Sequence, residues 1–132
     1  MVSRSKRWLF IFIFSVVSIV TWLWFDFQGF NTKPAAFDQV QWMQGRDVVK
    51  KVFDPGCVLG GMALDLQKTH RLLQMPYPQL FDLIGAPDSS EVKAFLWEIG
   101  QCHGGGWNHS QLKIILDTSG RVVEVKIQKA YF

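Results

Sequence analysis

The densest run of chemically capable side chains is Gly100–Ser110, GQCHGGGWNHS. Its His103-Gly104-Gly105-Gly106 matches an H-G-G-G oxyanion-hole pattern, in which glycines let backbone N–H groups approach a developing oxyanion. That pattern works beside a G-x-S-x-G nucleophile elbow on a wound parallel sheet, and the chain supplies neither. A zinc site is the second chemistry: Cys102, His103 and His109, with Cys57 as a fourth ligand. The donors suit zinc, but adjacent Cys-His followed by a His six residues on is not a finger spacing. The third is a thiol nucleophile at Cys102 beside a histidine. No third, orienting group accompanies it, and an exported lone thiol tends to oxidise. Glu98, Asp117 and Glu124 are carboxylates without a pairing suited to acid–base work. The simplest role for the glycines is a long flexible connection between two strands, with Trp107 packed at its root. No catalytic residue, metal or cofactor is therefore expected, and an enzyme built on Cys102, His103 and His109 is the alternative.

Cys57 and Cys102 are the only cysteines. In an oxidising compartment they could form a disulfide closing a loop of about 45 residues, worth roughly 3–4 kcal/mol in the chain-entropy model. Two unrelated buried thiols fit the sequence almost as well.

What must position these residues begins with Trp8–Phe25, WLFIFIFSVVSIVTWLWF, eighteen residues without a charge. As a helix it covers roughly 27 Å, close to a bilayer's hydrocarbon thickness. Ser15, Ser18 and Thr21 can bond back to preceding carbonyls, and Trp8, Trp22 and Trp24 stand at the ends, where indoles favour the lipid–water boundary. Arg4, Lys6 and Arg7 precede the run and Asp26 follows it. Residues 1–7 are thus expected to be a cytoplasmic basic flank, 8–25 an uncleaved signal anchor in the inner membrane, 26–36 a linker and 37–132 an exported, periplasmic domain. A cleaved signal peptide is disfavoured by the length of the apolar run and its aromatic exit. The formal charge of +3 comes entirely from Arg4, Lys6 and Arg7; beyond them eleven cations meet eleven acids. Such a neutral domain lacks the footprint for phosphate contact, so no nucleic acid is expected.

Phe37–Lys51 has weakly helical spacing at Phe37, Val40 and Trp42 or Met43. A clearer helix is expected over Gly61–Leu73, with Met62, Leu66, Thr69 and Leu73 on one stripe. Met75–Pro87 predicts a short helix with Pro78 in its first turn, Leu80, Leu83 and Ile84 inward, and Gly85 at a left-handed C′ position before Pro87. From Val92 the period is two. Val92–Ile99, Gln111–Asp117 and Arg121–Lys129 read as strands, the last with Val123, Val125 and Ile127 inward, and Asp117–Gly120 reads as a hairpin loop. The class is α+β: an N-terminal transmembrane helix, then two helices packed on a three-stranded antiparallel meander.

Met75-Pro76-x-x-Gln79-Leu80-x-x-Leu83-Ile84-Gly85-x-Pro87 resembles the G-M-T-x-x-Q-V-x-x-L-L-G-x-P helix of the SmpA/OmlA (BamE) family. Trp97–Gly100 is similar to that family's Y-x-L-G strand end, and Leu112–Val123 to its L-x-V-x-F-D-x-x-G-R-V hairpin. The resemblance spans roughly residues 61–129 and implies a β-lactamase-inhibitor-like fold in a small envelope protein that works by contact. Gln74, Pro76 and Ile115 depart from the pattern, and the lipid-bearing Cys is missing. The expected function is accordingly non-enzymatic binding of another envelope or membrane protein, with Trp97, Trp107, Tyr131 and Phe132 as a contact patch. A subunit whose helix packs into a larger membrane complex is a further alternative.

Overall fold

The computed structural model describes residues 3–30 and 32–130. Helix α1, Arg4–Gln28, contains one apolar window long enough to cross a membrane, and none of that window is buried against the rest of the chain. Two of its hydroxyls bond back along the helix: Ser15 Oγ donates to Ile11 O (2.9 Å) and Thr21 Oγ1 to Val17 O (2.7 Å).

Among the described residues three further α-helices follow, not two. Helix α2, Gln39–Lys51, begins where Asp38 accepts from Gln41 N (2.9 Å), a side-chain N-cap, and it buries Trp42, Gly45 and Arg46. One buried face combines a Trp, a Gly and an Arg, so apolar spacing alone underrates this helix. Helix α3, Gly60–Lys68, stops a turn earlier than its apolar stripe predicts. The reversal comes at His70, where φ is +53°, and the turn after it carries Leu72 fully into the core. Helix α4, Tyr77–Ile84, has Pro78 in its first turn and buries Leu80 and Ile84. Gly85 ends it at φ +84° and ψ 172°, a positive-φ conformation outside the left-handed helical well and almost confined to glycine.

The sheet has four antiparallel strands in sequential order: β1 Ser89–Glu91, β2 Ala94–His103, β3 Asn108–Leu116 and β4 Val122–Lys129. The additional strand, β1, is three exposed polar residues without alternation. At the β3–β4 turn Asp117 Oδ1 accepts from Ser119 N, Ser119 Oγ and Arg121 N, which holds the Asp117 carboxyl below its ordinary range. A register shift there sets Val122 opposite Leu116, so Val122 is buried and Val123, expected inward, is exposed. Val125 and Ile127 do pack against the core. The other face of the sheet is mixed: Gln111 bridges Glu98 and Gln128 across three strands, beside Leu96 and Ala94, which are buried.

The core joins Trp42, Leu59, Leu66, Leu80, Ile84, Trp97, Leu112 and Ile114. At its centre is the carboxyl end of α4, whose last carbonyls have no helical partner. Gln39 Nε2 donates to Asp82 O (2.9 Å) and Leu83 O (3.2 Å), and Trp42 Nε1 to Ile84 O (2.9 Å). Arg46 donates to Ile84 O (3.1 Å), and Trp97 Nε1 to Gly85 O (3.1 Å). Arg46 also pairs with Asp88 at 2.9 Å. A Cβ at Gly85 would collide with the Arg46 guanidinium.

Because Arg46 is buried and Lys50 is exposed beside the same Asp88, the two should differ sharply. Arg46→Ala is expected to cost about 3–5 kcal/mol of unfolding free energy. Lys50→Ala is expected to cost less than about 1 kcal/mol. Thermal unfolding of the solubilised chain checks the order.

Candidate interaction surface at the end of the apolar helix

The Gly-rich run does not form a long flexible connection. Strand β2 continues through a register shift after Glu98 to His103, a single 3-10 turn follows at Gly104–Gly106, and β3 starts at Asn108. Glycine is required at Gly100, where φ is +100° and a Cβ would strike Gly56 O. The segment 56–59 lies along the end of β2: Gln101 N donates to Gly56 O (2.9 Å), Gly56 N to Gln101 Oε1 (3.1 Å), and Leu59 N to Ile99 O (3.1 Å). This register sets Cys57 across from Cys102, and a disulfide joins them with Cα atoms 4.7 Å apart. Gly60 backs the bridge so closely that a Cβ there would overlap both sulfurs.

The chain leaving α1 is stitched to this surface rather than hanging from it. Gly104 N donates to Gly29 O (3.2 Å), and Phe30 forms an antiparallel bridge with His103, their rings 5.3 Å apart and edge to face. Thr32 Oγ1 lies 3.0 Å from Cys57 Sγ. Ala35 N donates to Gly61 O (3.0 Å), and Phe37 N to Asp65 Oδ2 (3.0 Å). The segment expected as a linker is therefore held against the domain at each of these points.

His103 Nδ1 lies 2.6 Å from Ser110 Oγ, which also accepts from Cys102 N (3.1 Å). Burial, and secondarily the Lys129 charge, hold the His103 imidazole below its ordinary range. A Ser–His contact of this kind resembles a nucleophile and base, but the Ser110 side chain is wholly buried and no substrate reaches it. Cys102 is in the disulfide and 3% exposed, which corrects the thiol reading: no thiolate exists there unless the bridge is reduced. Among the described residues no group of three or more His, Cys, Asp or Glu is placed to hold a metal ion.

Of the four aromatic residues expected to form a contact patch, Trp97 is a core residue. It is fully buried, and its indole N–H is committed to Gly85 O. Tyr131 and Phe132 lie outside the described residues. Trp107 is 76% exposed, and sequence reasoning passed over its neighbour Phe53, which is 98% exposed. The two rings flank an open groove of about 460 Å³ floored by Gln101, Gly105 and Gly106. The available signal was a large aromatic directly before Asp54-Pro55-Gly56, residue types that favour a chain reversal.

Two measurements follow from this geometry. Cys57→Ser with Cys102→Ser is expected to lower stability by about 4 kcal/mol, the chain-entropy value for this loop length, read as a fall in the unfolding midpoint. For His103, the unfolded chain binds the proton more tightly than the folded one. Stability should be fully present above about pH 6.5 and should fall as acidification moves from there through the lowered folded pKa. His103→Asn should flatten that slope in denaturation curves taken across the range.

Comparison of the chain with family models, with curated proteins and with solved structures finds no match in any of the three.

Proposed function

We propose that this chain is a non-enzymatic, membrane-anchored envelope protein whose exported domain binds a protein partner. Helix α1 holds it in the inner membrane as a single span, with the amino terminus cytoplasmic and the domain on the outer side. The observation that carries this reading is the bare apolar surface of α1, continuous through Gly29 and Phe30 with the domain. A surface of that composition needs a solvent other than water. Arg4, Lys6 and Arg7 before it favour the stated orientation, and the Cys57–Cys102 bridge suits an oxidising compartment. The resemblance of residues 61–129 to SmpA/OmlA proteins supports a contact role in the same direction. The anchor would keep the domain at a fixed attitude over the bilayer and restrict its search to two dimensions.

The exposed α1 surface also favours one other reading, in which the helix packs into a larger membrane complex as an integral subunit. Co-purification from mild detergent separates the two when Trp8–Phe25 is replaced by an unrelated apolar span. An unchanged set of protein partners supports recognition by the domain. Loss of the partners from a still-folded chain supports packing by the helix, and no specific partner with either chain contradicts both.

A further inference from the structure

The two most exposed aromatic rings outside α1, among the described residues, stand together at the end of the sheet where α1 leaves off. Phe53 is 98% and Trp107 76% exposed, and they flank one open groove. The backbone limits how far from the bilayer they can stand. Gly29 lies four residues past Phe25, about 6 Å further along the axis, which is within the headgroup layer. Gly104 N touches Gly29 O at 3.2 Å, and Trp107 is three residues on, at most about 11 Å away. Phe53 is preceded by Lys51, exposed, and Val52, 47% exposed, at the end of α2. Lys51, Val52 and the two rings together have the composition of a lipid–water boundary contact, with the ammonium at the headgroups and the rings below it; Asp54, which follows Phe53 and also lines the groove, adds an acid to it.

We infer that Phe53 and Trp107, with Lys51 and Val52, dock the domain onto the bilayer surface beside its own anchor. This rests on α1 spanning the membrane. Given that span, the bilayer surface is the partner nearest to hand: the stitch at Gly29–Gly104 keeps Trp107 within about 20 Å of the hydrocarbon edge, and the anchor keeps it there permanently. The groove is open rather than enclosed, and lipid contact does not require a shaped cavity. Docking would fix the tilt of the sheet, leaving the opposite end, with the β1–β2 turn and the Asp117–Gly120 loop, farthest from the membrane.

Photocrosslinking in the full chain tests this. A benzophenone amino acid is placed singly at Trp107, Phe53, Val92 and Phe14, and membranes are irradiated. Val92 is 92% exposed and lies at the far end of β2, roughly 30 Å from the loop. Phe14 lies in the middle of α1. The inference expects phospholipid adducts at Trp107 and Phe53 on the order of tenfold above Val92, approaching the yield at Phe14. Adducts at Phe14 with only the Val92 background at Trp107 and Phe53 overturn it while leaving the anchor intact. Protein adducts at Trp107 and Phe53 in place of lipid overturn it in favour of a protein contact at the groove. Absence of lipid adducts at Phe14 overturns the anchor and the docking together.

Discussion

The fold turns on the carboxyl end of α4. An eight-residue helix is too short to persist alone in water, and this one ends inside the core, where its free carbonyls form the negative pole of the helix dipole. Four side chains from two other elements meet those carbonyls: Gln39, Trp42 and Arg46 of α2, and Trp97 of β2. The positive guanidinium suits that pole, and its second branch reaches Asp88 just before β1. One short helix end thereby fixes α2, the start of the sheet and its longest strand. The cost falls on interchangeability. Gly85 must lack a side chain because Arg46 occupies the space, and Trp97 cannot turn outward without abandoning Gly85 O.

The opposite end of the sheet is built by different means. There glycines permit the close packing: a side chain at Gly100 would meet Gly56 O and one at Gly60 the disulfide, while Gly104 N bonds to Gly29 O. The disulfide and the Phe30–His103 bridge close the arrangement. A Gly-rich sequence that resembles a catalytic loop is thus accounted for by the close approach at Gly100 and by a turn that holds Gly104, Gly105 and Gly106 all at positive φ. What is left over at this end is aromatic surface, and the proposed role of the protein at a membrane draws on that surface and on the anchor next to it.

Much of the architecture is legible in the sequence. The apolar run of α1, the capped helix before Pro87, the period-two strands and the turn at Asp117–Gly120 follow local rules that tertiary contacts do not override. The misses share a cause. β1 is three polar residues that become a strand only because β2 offers them an edge. α2 looks weak because its buried face includes an arginine, which no hydrophobic pattern counts as core. Val123 faces out because a register shift set by the Asp117 turn moves the inward position to Val122. At the candidate surface, Trp107 is identifiable as an aromatic but not as exposed, since burial depends on which residues the end of the sheet brings near. Trp97 shows the reverse: it is the fourth residue of β2, and its outward or inward fate is decided by α4, which lies outside the strand. Phe53 was missed because turns are read for their polar residues.

The central claim is that the solvent of α1 is lipid and that the domain lies beyond the cytosol. Fusing a reporter that is active only outside the cytosol after residue 132 of the full chain, and following the fusion through alkaline extraction of membranes, measures this directly. The account predicts an active reporter that stays with the extracted membranes. A silent reporter, or an active one released as a soluble, shortened chain, would contradict it.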